Sequence, residues 1–388
     1  MHVNDMKFCL LFLYLTLFSV ARAQNTIQVK DMIGRTVTVP AKIDSVYASG
    51  HSKSVVATFI AEKIPGGVAY SDEQKALLPE TWWGNRPMSR RSSPPKPGEG
   101  TSGRSGNGTG RIPPGVLNDS MRIRHLIKQL EGSHTSVAIF ETDHFTGKIA
   151  DALLEQTGIP VVIIDLSVYR LKELYALLGE IFSREQQAEM LIDFVTKYID
   201  PIGEKVKSIP EGDRVHFYYA EGNDGLRTEP SGSFHTMAIE FAGGINVIKA
   251  EAGTPVERSV QITLEKLRSS DPDVILVSTP GSENLSVYST ICTNEEWNGF
   301  SAVKNRKIYQ IQRLPFSWID RPPGANRMLG VVWIANLFYP DLFPFDMIKV
   351  SQEFFRVFYH TNLSDEQAKS LLTIQPDPVL SLSNFKNN

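Results

Sequence analysis

The transition at residues 50–54 is where side chains of this chain could perform nucleophilic catalysis. Its sequence, Gly-His-Ser-Lys-Ser, places Ser52 directly after His51, between a predicted strand and a predicted helix. A nucleophile elbow needs glycine two residues after the serine, so that the turn can pack closely, but Ser54 occupies that position. The pattern therefore favours an ordinary strand-to-helix turn. A hydrolase that uses Ser52 or Ser54 is kept as an alternative function.

Other motifs that carry chemistry are missing from the sequence. It has no glycine-rich phosphate loop ending in Lys-Ser/Thr, no His-Glu-x-x-His and no Cys-x-x-Cys. Its eight histidines are scattered along the chain, so they could bind a metal only if folding brought them together. We therefore expect a protein that is not an enzyme and has no resident cofactor. A receptor for a free metal ion is a second alternative.

Binding residues are better indicated than catalytic ones. Ligands of open parallel sheets lie at the carboxyl ends of the strands, so the residues that follow each predicted strand are candidates. These are His51, Asp143 and His144 in the first half, with Trp82, Trp83 and Arg86 after a predicted strand near Gly67–Tyr70, and Glu221, Arg227, Thr279, Arg313, Trp318 and Arg321 in the second half. Aromatic rings beside arginines suit a flat or bulky anionic ligand. For each single residue an ordinary surface role is the alternative, because pockets use few polar groups.

The elements that must position these residues alternate between strand and helix. Predicted strands at Val137–Glu141 and Pro160–Asp165 flank a helix at Gly147–Gln156, and the second half repeats the plan with strands at Asp273–Ser278 and Lys307–Ile311. Such alternation predicts an α/β fold with mainly parallel sheets and flanking helices. A hairpin of Thr26–Lys30 and Thr36–Val39 is predicted to precede this pattern.

Between the two halves lies a long predicted helix, Ser183–Ser208. Its apolar residues recur at three- and four-residue steps, which is typical of an amphipathic helix. Ser183 and Gln186 have the spacing of a capping box, and Pro201 is expected to kink or split the helix. At 1.5 Å per residue the run is about 39 Å long. We therefore predict a rigid connecting helix, 183–208, between an N-terminal lobe, 24–182, and a C-terminal lobe, 209–388, with a ligand in the gap.

Composition and the N-terminus indicate an exported soluble protein. The 388 residues are 41% hydrophobic and 21% charged, and the net charge of -3 gives no footprint for nucleic acid. Residues 1–23 combine Lys7, an apolar run and Ala21-Arg22-Ala23, which predicts a cleaved signal peptide, with an uncleaved anchor as the alternative. Cleavage would leave Cys292 as the one cysteine, so no internal disulfide is expected.

The segment 86–134 does not fit the pattern around it. Its first part, Arg86–Gly115, has 18 Pro, Gly or Ser among 30 residues, and six Lys or Arg against one Glu. Such a composition cannot bury enough apolar surface to offset its ordering entropy. A disordered insert is the favoured interpretation, with a cationic docking arm and a stretch translated from a shifted reading frame as alternatives.

Four stretches resemble one known family. Asp31–Pro40 resembles the opening hairpin of the helical-backbone (class III) periplasmic substrate-binding proteins of bacterial ABC importers. Later stretches that resemble this family in the expected order are Glu221–Thr228 with Phe234-His235 and Ala242–Val247, Thr263–Ile275, and Ser317–Pro323 with Leu329-Gly330 and Trp333-Ile334-Ala335. Together they cover most of residues 26–360.

The resemblance implies a function without chemistry. A periplasmic receptor of this family, here expected to be a monomer, captures an iron–siderophore, haem or cobalamin-like metal chelate between two lobes and delivers it to a permease in the inner membrane. It also implies that Glu265 docks with permease arginines. The first-lobe docking glutamate has no convincing counterpart, so either Glu131 substitutes for it or the insert has displaced it. A helical connection implies small closure and a largely pre-formed cleft.

Overall fold

The first lobe is built on a three-stranded parallel sheet. The computed structural model describes residues 25–64, 70–83, 119–142, 145–250, 259–278, 284–320 and 324–372. The first-lobe strands are β1 (Thr26–Lys30), β2 (Thr36–Pro40), β3 (Val46–Ala48), β4 (Val137–Glu141) and β5 (Val161–Ile164). Strands β3, β4 and β5 lie side by side in that order, whereas β1 and β2 form a separate antiparallel hairpin. Every residue of β4 and β5 is buried, as expected for strands covered on both faces.

Helices cover both faces of this sheet. They are α1 (Ser52–Ile60), α2 (Asp72–Leu77), α3 (Glu80–Trp83), α4 (Asp119–Leu130), α5 (Gly147–Thr157) and α6 (Leu171–Phe182), with a 3-10 turn at Ala61–Lys63. Helix α4 lies inside the segment that the sequence analysis treats as an insert. Its Leu126 and Leu130 are buried beside Phe140 and Leu153, so residues 119–130 belong to the lobe. Arg86–Gly115 lies outside the described residues.

The helix that connects the two lobes begins later than the sequence predicts. Ser183 has a left-handed backbone (φ 52°) and ends α6, and Arg184 N–H donates to Gly179 O at 2.8 Å. The next helix, α7 (Glu185–Phe194), starts without a side-chain cap. The predicted capping box is therefore wrong, because the preceding helix extends to Phe182 and Ser183 serves to terminate it.

Pro201 splits the connecting helix without ending it. A π-helical turn, Val195–Ile199, joins α7 to α8 (Asp200–Val206), and Asp200 N–H bonds to Val195 O five residues back. Proline has no N–H to donate four residues back, so a local change of hydrogen-bond register accommodates it. The chain stays helical from Glu185 to Val206, about 33 Å at 1.5 Å per residue.

The second lobe repeats the parallel sheet. Its strands are β6 (His216–Ala220), β7 (Arg227–Thr228), β8 (Ile245–Asn246), β9 (Val260–Gln261), β10 (Val274–Val277) and β11 (Ile308–Gln310). The sheet has the order β11-β10-β6-β8 and is parallel throughout, and β7 pairs with β9 in an antiparallel ribbon. This arrangement confirms the predicted fold class of two mainly parallel α/β lobes.

The remaining helices belong to the second half of the chain, and the last part of this half packs against the first lobe. They are α9 (Met237–Phe241), α10 (Leu264–Arg268), α11 (Asn284–Thr293), α12 (Ser301–Lys304), α13 (Asn326–Phe338), α14 (Met347–Phe358) and α15 (Asp365–Leu372), with 3-10 turns at Glu211–Asp213 and Glu295–Trp297. Tyr359, at the end of α14, packs edge-on against Trp82 of the first lobe at 5.1 Å. Gln187 of α7 donates to Val357 O at 2.8 Å. The end of α14, which the sequence analysis assigns to the second lobe, therefore contacts the first lobe and the connecting helix.

Candidate ligand site between the lobes

The two lobes meet at the carboxyl ends of their strands. Arg327 of α13 is 1% exposed, and its guanidinium donates to Leu166 O (3.4 Å) just after β5 and to Phe234 O (3.1 Å) in the second lobe. A second link is Gln74 Nε2 to Pro315 O, at 2.6 Å. The lobes are therefore in contact through the loops after β5, β7 and β11, on the side of the sheets where parallel folds hold ligands.

A histidine next to this contact between the lobes is oriented by a buried carboxylate. His235 Nδ1 lies 2.5 Å from Asp320 Oδ2, and the Asp320 side chain has no exposed surface while that of His235 is 20% exposed. Nδ1–H donates to the carboxylate, which favours the ring tautomer that is protonated at Nδ1. Carboxylate–histidine pairs of this kind fix the tautomer and ring orientation of metal-binding histidines.

Sequence reasoning missed this pair. Phe234-His235 and Ser317–Pro323 both contribute to the family resemblance, but neither residue of the pair is among the candidates chosen at strand ends. Those candidates included Trp318 and Arg321, on either side of Asp320, and no residue near His235. The two residues are 85 positions apart, and no local pattern reports such a contact.

In the first lobe, the carboxylate of Glu141 accepts three hydrogen bonds at the end of β4. The backbone N–H groups of His51 and Ser52 donate to its Oε1 at 2.6 and 2.8 Å, and the Ser49 hydroxyl donates to its Oε2. Glu141 is the last residue of β4 and 6% exposed. His51, predicted as a ligand contact, thus opens α1 with its backbone bound to Glu141.

Ser52 and Ser54, the candidate nucleophiles of the alternative hydrolase function, both donate their hydroxyl groups to backbone carbonyls. Ser52 is fully buried and its hydroxyl donates to Ser49 O at 2.6 Å. Ser54 donates to His51 O at 3.2 Å. Among the residues that the structure describes, neither serine hydroxyl is hydrogen-bonded to an imidazole, as a nucleophile activated by a histidine would be.

Three residues of the second lobe that were predicted to contact a ligand differ in how far they are exposed to solvent. Glu221 is 3% exposed and its backbone bridges to Arg227. Arg227 is exposed, and its Nε donates to Ser259 Oγ at 2.8 Å. Arg313 is half-buried after β11, where burial lowers the pKa of its guanidinium against an opposing influence of Tyr219. A cation that is partly withdrawn from water in this way is suited to an anionic group of a ligand.

Of the three tryptophans that were predicted to contact a ligand, two lie in the hydrophobic core and one lies at the surface. Trp82 (2% exposed) and Trp318 (0%) lie in the hydrophobic core, which corrects the expectation that their rings face a ligand. Trp82 is covered by Phe316 and Tyr359, and the Trp318 indole N–H donates to Leu314 O at 3.0 Å. Trp83 is 36% exposed. Contacts that come from distant parts of the chain bury the first two, which the local sequence could not indicate.

Several other candidates lie outside the described residues. They are Arg86, Asp143, His144, Thr279 and Arg321, together with the predicted strand near Gly67–Tyr70 up to residue 69 and the signal peptide. In the part of the chain that the structure describes, no group of three or more His, Cys, Asp or Glu side chains could hold a metal ion. Within the same residues, no helix has the length and apolar character that a membrane crossing requires.

The predicted docking glutamates are both exposed. Glu265 lies in the first turn of α10, which precedes β10, and Glu131 follows the last residue of α4, which precedes β4. The two residues thus occupy the same connection in their respective lobes, although Glu265 begins its helix and Glu131 follows the end of its own. Their role in docking stays a prediction.

Comparison with known proteins supports the resemblance. Residues 143–314 match the family model described as periplasmic binding protein. The chain is 27% identical over 168 residues to the high-affinity heme uptake system protein IsdE of Staphylococcus aureus, an alignment that covers 42% of this chain and 54% of the relative. The chain thus spans about half the length of the curated relatives it matches.

Solved structures show the same fold over a larger share of the chain. An ABC transporter solute binding protein from Sulfurospirillum deleyianum is 25% identical, covers 89% of this chain and 99% of its own, and has a TM-score of 0.69. The molybdate periplasmic binding protein MolA of Haemophilus influenzae is 22% identical, covers 87% and 99%, and has a TM-score of 0.57. These matches are to transport receptors and not to enzymes.

Proposed function

We propose that this chain, a periplasmic binding protein of the helical-backbone type, captures a metal chelate between its lobes and delivers it to an ABC importer. The observation that carries the proposal is the hydrogen bond of 2.5 Å between His235 and the buried Asp320. A carboxylate without exposed surface that holds Nδ1 directs Nε2 for coordination, since a ligating histidine characteristically donates its other N–H.

Most of the donor atoms that bind the metal must belong to the transported chelate and not to the protein. One imidazole supplies one bond to a metal, whereas iron and cobalt ions are bound by several donor atoms. A chelate such as haem, a ferric siderophore or a corrinoid carries these donors and leaves a position for a histidine. Anionic groups of the chelate would face Arg313 and Arg227, whose planar guanidinium groups suit carboxylates.

The haem-uptake relative from Staphylococcus aureus supports a chelate over a bare ion. The free-ion receptor, the alternative from the sequence, would need several protein ligands around the metal. The hydrolase alternative would need an accessible serine, but Ser52 is buried.

Delivery requires a partner in the inner membrane. We infer that the exposed Glu265 contacts a basic group of the permease from the second lobe, and that Glu131 is its counterpart on the first lobe. This role places the protein in the periplasm, to which the predicted signal peptide would export it.

Arg327 and the continuous helix limit motion between the lobes. The guanidinium bonds to carbonyl groups of both lobes, and α7, the π turn and α8 cross between them without a break. We therefore expect small closure on binding and a largely pre-formed cleft.

The proposal is tested by titrating the purified chain, residues 24–388, with haemin, a ferric tris-catecholate and cyanocobalamin. One of the three should release or absorb heat in calorimetry and quench tryptophan fluorescence, with Trp83 as the exposed reporter. In the iron or cobalt complex that binds, His235→Ala should alter the ligand-field absorbance and weaken binding.

The matched control is His216→Ala. His216 also faces an aspartate, with Nδ1 3.4 Å from Asp273 Oδ2, but it begins β6 and so lies at the opposite end of the sheet. Its loss should leave binding unchanged. No heat and no quenching across the three compounds, or equal effects of the two histidine variants, would overturn the proposal.

A further inference from the structure

The loop that carries His235 is closed by one carboxylate, that of Glu240. Glu240 lies on α9, the short helix that begins directly after this loop. Its Oε1 accepts hydrogen bonds from the backbone N–H of Gly232 and from the hydroxyl of Thr236, each at 3.1 Å. The first of these donors lies three positions before His235 and the second lies one position after it. We call Glu240 and these two donors the Glu240 clamp.

The backbone inside the Glu240 clamp is also held by hydrogen bonds. Thr236 N–H donates to Ser233 O at 3.1 Å, which is the bond of a tight turn. Gly232 has a positive φ of 81°, a conformation that glycine adopts without strain. His235 N–H donates to Ser233 Oγ at 3.2 Å. The backbone of His235 is therefore fixed on both sides by contacts within its own loop.

Asp320 and Glu240 act on different parts of His235. The Asp320 carboxylate bonds to ring Nδ1 and belongs to a loop 85 positions away along the chain. It holds the ring only while the backbone of His235 stays in place, because a shift of about 1 Å would take this bond of 2.5 Å beyond the ordinary hydrogen-bond range. A binding side chain keeps its productive geometry only when neighbouring residues fix its position. The Glu240 clamp supplies that fixed backbone.

We propose that Glu240 is a positioning residue, which acts on the bound metal chelate through His235 and does not touch the chelate itself. The proposal rests on the function proposed above and deepens it. While the clamp is closed, His235 keeps the tautomer that is protonated at Nδ1, and Nε2 is presented to the metal. When the clamp is removed, the ring leaves Asp320 for part of the time and both tautomers are populated. A role in stability alone would leave the tautomer unchanged.

The test is nitrogen NMR of the histidine-labelled protein without any chelate, with the His235 signals assigned from their loss in His235→Ala. At about pH 9, well above the ordinary histidine pKa of about 6.5, the shifts of the two ring nitrogens report which one carries the proton. In the native chain the two shifts should be far apart, as for a single tautomer. Glu240→Ala should bring them closer together. Glu240→Gln keeps an oxygen that can accept both hydrogen bonds, so it should restore most of the native separation.

Glu353→Ala is the matched control. It removes a carboxylate that also accepts two hydrogen bonds but lies on α14 against the connecting helix. This variant should lower the melting temperature without moving the His235 signals. If Glu240→Ala does not fold, Thr236→Val takes its place, because it removes the hydroxyl donor of the clamp and keeps the volume of the side chain. It should bring the two shifts of His235 closer together as well.

A folded Glu240→Ala protein with native His235 shifts would overturn the proposal, as would native shifts in Thr236→Val if Glu240→Ala does not fold. Equal changes of the His235 shifts in Glu353→Ala would do the same. For a chelate that binds the native chain, Glu240→Ala should weaken affinity by about tenfold or more, and an unchanged affinity would contradict the positioning role. If no chelate binds while the shifts behave as expected, the proposed function fails and the clamp stands, so the two failures can be told apart.

Discussion

Arg327 of the second lobe donates a hydrogen bond of 3.4 Å to the carbonyl oxygen of Leu166 in the first. The same guanidinium lies over the ring of Phe234, with its central carbon 4.1 Å from the ring centroid. One buried cation thereby joins loops of both lobes, and its position connects the stability of the fold to the geometry of the proposed site.

Arg327→Ala should therefore destabilise the whole protein. The substitution leaves Leu166 O, which is buried, and Phe234 O, which is partly buried, without this donor, at about 1–3 kcal/mol for each unsatisfied buried group. We expect a loss of about 3 kcal/mol or more in the free energy of unfolding, measured by urea denaturation. Arg356→Ala, at an exposed position of α14, should change it by no more than about 0.5 kcal/mol. Equal effects of the two variants would show that Arg327 does not join the lobes.

Asp320→Asn should weaken binding of the metal chelate while the fold persists. The substitution removes the charge that holds His235 Nδ1–H, and loss of such a partner typically costs about 10–100-fold in metal affinity. The measurement is an absorbance titration with whichever compound of the panel binds. Asp273→Asn, at the His216 pair, is the control and should leave affinity unchanged. If the two aspartate variants bind equally well, His235 is not the metal ligand.

Gly330→Ala should disturb the loop that carries Asp320. A Cβ at Gly330 would lie 1.8 Å from Trp318 O, a backbone atom that cannot move aside cheaply. Overpacking of this kind costs about 1–3 kcal/mol or more, seen as a lower urea midpoint, and the displaced loop should weaken chelate binding as well. At Gly212 a Cβ would meet nothing within 4 Å, so Gly212→Ala should leave stability unchanged or raise it by up to about 1 kcal/mol. A Gly330→Ala protein as stable as the native chain would contradict this packing.

Glu353→Gln should remove an acid-dependent part of the stability. Burial alone would raise the pKa of Glu353, but hydrogen bonds from Lys197 and Tyr198 outweigh it and the pKa is lowered. A lowered folded-state pKa means that the stabilisation is complete above the ordinary carboxyl pKa, about 4.3, and is lost as the pH falls through the folded-state value. The difference in unfolding free energy between the native chain and the variant should thus be largest near neutral pH and shrink in acid.

Urea denaturation at several pH values measures this difference. Glu204→Gln, which removes an exposed ion pair with Lys207, should show a smaller difference from the native chain at neutral pH, since exposed pairs contribute about 0–1 kcal/mol. A native-minus-Glu353→Gln difference that grows as the pH falls would contradict the inferred direction of the pKa shift.

Local patterns in the sequence were sufficient to predict many of the helices and strands and the fold class. The predicted hairpin and the strand Val137–Glu141 were found where expected. Hydrophobic periodicity and turn residues act over a few positions, so they can be read from the chain itself. The prediction of a capping box at Ser183 was wrong because the preceding helix extends to Phe182. Ser183 therefore ends that helix and does not begin the next one.

The site depended on contacts that join distant parts of the chain. His235 pairs with Asp320, Arg327 reaches Leu166, and Tyr359 covers Trp82. Each of these contacts exists only after helices and loops have packed, so no spacing along the chain reports it. The sequence by itself determined which segments become strands and helices and that they form two parallel-sheet lobes. Tertiary packing decided which polar side chains meet between the lobes and which tryptophans are buried, because burial and long-range hydrogen bonds are properties of the assembled layers.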